Sequence, residues 1–199
     1  MAFFLKIRYF YPMKYLITGL GNPGADYENT RHNIGWLVLD ELIRDTDASF
    51  KSERYGFVAR IKHRGRTLVL LKPTTFMNLS GKAMKYWLDK VNIPIDKSLV
   101  VSDDIDLDPG KLRMKAKGSG GTHNGLNNII EVLQTAQFPR LRFGIGHDFP
   151  QGYQVDYVLG KFTDDEYLAL KPRIEMACDM IKSFTIAGVA QTMSQFNNK

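Results

Sequence analysis

Short apolar runs alternate with segments of helical period along this chain, and that alternation restricts the fold more than any other feature. Lys14–Thr18 (KYLIT) stops abruptly at glycines and reads as a buried strand. Asn33–Arg44 follows, with Ile34, Leu37, Val38 and Ile43 near helical spacing. Phe57–Lys62 and Thr67–Lys72 are strands joined by a turn at His63–Arg66, where Gly65 supports a hairpin and Pro73 ends the second strand. Asn78 or Ser80 is placed to cap a helix running to about Val91. Ser98–Ser102, Lys111–Lys115 and Leu141–Ile145 are further strands, and the glycine loop Gly118–Gly121 leads into a helix over Gly125–Gln134. Thr163 and Glu166 make a capping box that opens a helix to about Ile181, with a last short helix over Phe184–Phe196. The pattern predicts a single α/β domain with a mixed, mostly parallel central sheet flanked by helices. In such sheets ligands sit beyond the carboxyl ends of the strands.

Composition narrows the class. With 199 residues and 44% hydrophobic content, the chain can bury one real core without disulfide or metal staples. Cys178 is the single cysteine, so neither an intramolecular disulfide nor a cysteine metal cluster can form, which fits a reducing cytosol. Its setting, EMACDMI, assigns it to helical core packing. No apolar run reaches the roughly 18 residues of a membrane span. The opening MAFFLKIRYFYP is short, is interrupted by Lys6 and Arg8, and lacks a small-residue cleavage site, so it reads as a leader. Residues 1–12 are read as that leader and residues 13–199 as the single α/β domain. Charge is uneven: residues 51–117 carry 15 basic and 7 acidic side chains, whereas each flank is −1. A basic face for a polyanion, nucleic acid before membrane, is one reading; a solvated lysine-rich surface is the other.

Three loops carry chemistry. Gly19-Leu20-Gly21-Asn22-Pro23-Gly24 matches the dinucleotide pattern literally, but that site needs a helix starting near the second glycine. Asn22-Pro23-Gly24 is instead a turn signal and the helical pattern begins only around Asn33. The loop presents Asn22 at a strand end. His32, in the polar stretch before the helix, becomes an oriented base if a carboxylate reaches it, and is otherwise a structural histidine. Asp103 terminates an apolar strand at the crevice end and can supply that carboxylate. Asp104, Asp106 and Asp108 imitate the start of a calcium loop, but Pro109 replaces the required glycine and Lys115 the final Glu, which excludes an EF-hand. The third loop, Lys115–Gly125, pairs glycines with a helix N-terminus and two lysines suited to phosphate. Asn22, Asn78 and Asn124 add amide groups. The chemistry left is water activated by His32, attacking a carbonyl whose oxyanion meets amide or backbone donors.

The motifs GLGNPG, TRHNIG, PTTFMNLSGKA, DDIDLDPG, GSGGTHNGL and LRFGIGH, in this order, resemble bacterial-type peptidyl-tRNA hydrolase over essentially Met13 to the C-terminus. The resemblance implies a monomeric cytosolic esterase, without metal or cofactor, that splits peptide from the tRNA 3′ ribose. It makes His32 the general base, Asp103 its orienting partner and Asn22 a donor near water and carbonyl. By the same resemblance Asn78 and Asn124 hold the peptide and the tRNA end, Tyr27 lines the site, and Lys115 with Arg142 clamps the tRNA 5′ phosphate. Two departures stand out: Ser-Asp-Asp-Ile-Asp where members often have His-Asp-Glu-Leu-Asp, and Thr122 where a Gly is common. The other functions to be weighed are a non-enzymatic RNA-binding relative of the same fold and a dinucleotide oxidoreductase.

Overall fold

The computed structural model describes residues 13–199, so the leader expected over residues 1–12 lies outside the described residues. The strands are β1 (Lys14–Gly19), β2 (Lys51–Glu53), β3 (Gly56–His63), β4 (Arg66–Pro73), β5 (Ser98–Asp104), β6 (Leu112–Lys115) and β7 (Arg140–Gly144). They form one sheet in the order β2-β3-β4-β1-β5-β7-β6. β4, β1, β5 and β7 run parallel in the centre, and the flanking pairs β2/β3, β3/β4 and β6/β7 are antiparallel. The sheet is mixed as expected, with its parallel part confined to the four central strands. The hairpin turn falls where Gly65 requires it: Arg64 and Gly65 both take positive φ (46° and 77°), as a tight two-residue turn needs.

The helices are α1 (Ile34–Ile43), α2 (Ser80–Val91), α3 (Asn124–Leu133), α4 (Gln154–Leu159) and α5 (Asp164–Phe196). Strand side chains alternate between two faces, and the core divides accordingly. Tyr15, Ile17, Leu99 and Val101 join α1 and α5 on one face, while Leu16, Val69 and Val100 join α2 and α3 on the other. Each fully buried Leu, Val or Phe contributes roughly 2 kcal/mol, so both faces are anchored independently of the loops between them. Neither Asn78 nor Ser80 caps α2: the Ser80 hydroxyl donates back to the Met77 carbonyl at 2.8 Å, and a 3-10 turn over Met77–Leu79 leads into the helix. The Thr163/Glu166 capping box is present, with bonds of 2.7 and 3.2 Å. The break expected after Ile181 lies instead at Gly188, whose φ of 82° no helix accommodates. Among the described residues, no helix is long and apolar enough to cross a membrane.

One contact fixes the geometry of the crevice end. A Cβ on Gly19 would lie 2.2 Å from the Gly35 carbonyl oxygen, and one on Gly35 would lie 2.5 Å from the Leu20 nitrogen. Only two glycines let α1 press this closely against the end of β1. The 3-10 turn Arg31–Asn33, which enters α1, is thereby held over the carboxyl ends of β1 and β5.

Candidate active site

The GLGNPG loop continues from β1 without a helix near Gly21; α1 starts only at Ile34, which rules out the dinucleotide arrangement. His32, on its 3-10 turn, meets Asp103 near the end of β5. Its Nδ1 lies 2.9 and 3.0 Å from the two carboxylate oxygens. Both groups are buried, with Asp103 only 3% exposed. Burial alone lowers the His32 pKa, but the charge and hydrogen bond of Asp103 outweigh it and the net shift is upward. For Asp103 burial acts upward, yet His32 and His123 together hold the carboxyl well below the usual range. Asp103 is therefore an ionised acceptor, His32 donates Nδ1–H to it, and Nε2 is left as the nitrogen available to the cleft that His32 lines.

His123 is a second partner that the spacing alone did not reveal. Its Nε2 lies 3.0 Å from Asp103 Oδ1, and the two imidazole rings are 4.9 Å apart. At its other end Nδ1 accepts the Gly125 and Leu126 backbone N–H groups at 3.1 and 3.3 Å, so His123 caps α3. Those two donors leave no proton for Nδ1. Nε2 carries it and donates to Asp103. The three side chains bring potential ligand atoms within 4.8 Å of one another, but their facing positions are already joined by hydrogen bonds, and a metal there would have to displace both ring protons.

Asn22 is held with equal definition. Its backbone N–H donates to Asn33 Oδ1 at 2.8 Å, and Asn33 Nδ2 returns a bond to the Asn22 carbonyl at 2.9 Å. Asn22 Oδ1 accepts the Met77 N–H at 2.7 Å. The amide is thus orientated with its NH2 as the remaining donor. Asn33, next to His32, is the residue that fixes this loop, and only its adjacency in Arg31-His32-Asn33 hinted at it.

A cleft of about 590 Å³ joins these groups to the remaining candidates. Asn22, His32, Asn78, Asp103, Lys115, Asn124 and Arg142 all line it. Tyr27 stands outside the ring: it packs edge-on against Phe76, 6.4 Å between centroids, and Phe76 is the aromatic at the wall. At the far end Lys115 and Arg142 lie on the adjacent strands β6 and β7. Arg142 is the main influence pushing the Lys115 pKa down, as two neighbouring cations must. Arg142 is also ion-paired to Asp104, with Asp106 at 3.9 Å. Arg140 lies beneath, 1% exposed, donating to the Ser119 and Ala136 carbonyls at 2.8 and 3.1 Å. Burial first, and Arg142 second, bring its pKa down to about 10, so it stays charged at neutral pH. Nothing in the sequence distinguished it from a surface arginine.

In this arrangement an oriented imidazole, a fixed amide donor and a helix N-terminus surround one end of a cleft, and cations hold the other. The family model described as peptidyl-tRNA hydrolase matches residues 16–199. A peptidyl-tRNA hydrolase of Phocaeicola vulgatus is 54% identical over 187 residues, 94% of this chain and the whole of the relative. One from Geobacillus kaustophilus is 43% identical over 92% of this chain and 98% of its own length. Among solved structures, peptidyl-tRNA hydrolase of Acinetobacter baumannii superposes with a TM-score of 0.86 at 34% identity, covering 92% of this chain and 94% of that one.

Proposed function

Because this chain belongs to the peptidyl-tRNA hydrolase family, it is a hydrolase of the ester between a peptide and the tRNA 3′ ribose, and we propose that His32 is its general base. The observation that carries the reading is the His32–Asp103 pair at 2.9 Å in a buried corner of the cleft. His32 Nε2 takes a proton from water as the oxygen attacks the ester carbonyl. Asp103 holds the imidazole in the reactive tautomer and stabilises the imidazolium that forms. Asn22 Nδ2, the donor of that amide left unused, meets the developing oxyanion. The imidazolium then returns its proton to the departing ribose oxygen. An ester needs less leaving-group assistance than an amide, so one oriented histidine suffices.

Asn78 and Asn124 are read as binding peptide backbone and the tRNA end, with Tyr27 supporting the wall through Phe76. Lys115 and Arg142 take the 5′ phosphate. Amide contacts to backbone rather than to side chains allow cleavage of any peptide, and selectivity comes from requiring peptide and tRNA together. We read the enzyme as a cytosolic monomer. One chain supplies every group of the site, and the single thiol, Cys178, is buried with its pKa raised to about 12 by that burial, as suits a reducing compartment.

His32→Ala is expected to abolish turnover of purified peptidyl-tRNA while tRNA affinity stays within twofold. Binding without peptide release by the wild-type protein would instead favour the non-enzymatic RNA-binding reading, against which the assembled His32–Asp103–His123 group counts. A His32→Ala variant at wild-type rate would overturn the base assignment.

A further inference from the structure

The residue before the base makes more contacts than its neighbours, and none of them is to the cleft. Arg31 sends Nη2 to both carboxylate oxygens of Glu166, at 2.8 and 3.0 Å, and Nη1 to the Lys161 carbonyl at 3.2 Å. Its guanidinium lies over the Tyr157 ring at 4.5 Å and the Phe162 ring at 5.4 Å. Its backbone N–H donates to the Gly160 carbonyl at 3.0 Å, beside the bridge between Thr30 and Lys161. Tyr157 belongs to α4, the short helix whose Val155, Val158 and Leu159 line the same cleft as His32. Glu166 belongs to the first turn of α5, where its carboxylate also accepts the Thr163 N–H.

A carboxylate shared between a helix cap and the Nη2 of an arginine ties three elements at one point. The side chain of Arg31 is only 13% exposed, and its Nε is buried without a partner among the described residues. A buried guanidinium is costly unless paired, so Glu166 and the Lys161 carbonyl fix where the Arg31 side chain lies. A 3-10 turn of three residues has little stiffness of its own. Resting on the reading of His32 as the base, we propose that Arg31 is a positioning residue: its clasp on Glu166 and Tyr157 sets the His32 turn relative to the α4 wall, and so the alignment of the imidazole between Asp103 and the ester.

Glu166→Gln separates this role from simple folding. Glutamine still serves at the third helical position of a capping box, so α5 keeps its start, but the negative charge that faces Arg31 is lost. Thr163→Ala does the converse: it removes the cap hydroxyl and leaves the ion pair. Steady-state kinetics on peptidyl-tRNA should show Glu166→Gln with kcat about fivefold lower, KM within twofold, and the acid limb of the kcat profile moved to lower pH as the imidazole loosens from Asp103. Arg31→Lys, which keeps charge but not the planar fork, should do the same. Thr163→Ala should lower Tm and leave kcat and the pH profile in place. Wild-type kcat and pH profile in Glu166→Gln would overturn the proposal, and so would an equal loss in Thr163→Ala. His32→Ala, run alongside, tells the two failures apart. If it stays active, the base assignment falls and takes this inference with it; if it is dead while Glu166→Gln is normal, only the clasp is lost.

Discussion

The two ends of the cleft are charged in different ways. At one, Asp103 is 3% exposed and accepts from two imidazoles, of which His123 has its tautomer fixed by the α3 backbone and His32 by Asp103 itself. At the other, Lys115 is half-buried and Arg142 is engaged by Asp104 rather than free. The first end is finished before substrate arrives, so it is insensitive to salt. The second consists of cations whose partners can be exchanged for phosphate, so its strength depends on ionic strength. Chemistry that tolerates no misplacement is built from buried, mutually satisfied groups, whereas recognition of a polyanion uses charges left open to competition.

Asp103→Asn breaks the first end most directly. Asparagine offers one acceptor oxygen and presents an NH2 to one imidazole. If that imidazole is His32, the ring must turn its lone pair to Nδ1 and carry the proton on Nε2, which can then no longer act as base. A general base contributes on the order of 10²–10⁴-fold, and kcat is expected to fall within that range, with tRNA affinity in a filter-binding assay unchanged. The pH profile sharpens the case. As the proposed base His32 works unprotonated, and its pKa in the wild type is raised because Asp103 outweighs burial. Wild-type kcat should therefore rise through a midpoint above the ordinary histidine value of about 6.5. Without the carboxylate only burial remains, and the residual activity of Asp103→Asn should titrate below that value. A midpoint that does not move would mean that another group sets the limb.

Lys115→Ala and Arg142→Ala test the second end. Each removes one cation from the proposed phosphate site, so affinity should drop about tenfold at low salt and the slope of log K against log salt should lessen by roughly 0.7–0.9. Release of peptide from a short substrate lacking the acceptor stem should proceed at the wild-type rate. Loss of kcat on that substrate would show the two ends to be coupled.

The contrast also explains what could be read from sequence. The parallel centre was legible because KYLIT and SLVVS are apolar runs without interruption, as strands buried on both faces must be. β2 was not, since Lys51-Ser52-Glu53 is an exposed edge strand with no apolar period. The six residues of α4 were too few to establish one. In the site, Asp103 and Asn22 sit at or just after the ends of strands and His32 just before a helix, so they could be named. The second bond of Asp103, from His123, joins residues 20 apart through a loop whose path no local pattern dictates. Arg140 and Arg142, two apart on β7, point to the same side of the strand, yet one is buried and structural and the other lines the cleft beside Lys115. Their difference lies in what packs above them, and that is decided by tertiary structure.

The smallest expected effect probes why Arg142 is paired at all. Asp104 replaces the Glu often found at this place in the family, and besides engaging Arg142 it accepts the Asp106 N–H at 2.9 Å in a local turn. Asp104→Asn keeps the oxygen that makes the turn but removes the charge that competes with phosphate. Affinity for tRNA bearing a 5′ phosphate should rise two- to fivefold at low salt and the salt slope should steepen, because Arg142 no longer has to exchange one anion for another. Affinity for tRNA lacking that phosphate should change less, and kcat should not change. If affinity falls instead, Asp104 serves to aim the guanidinium, and the recognition end of the cleft is as preorganised as the catalytic one.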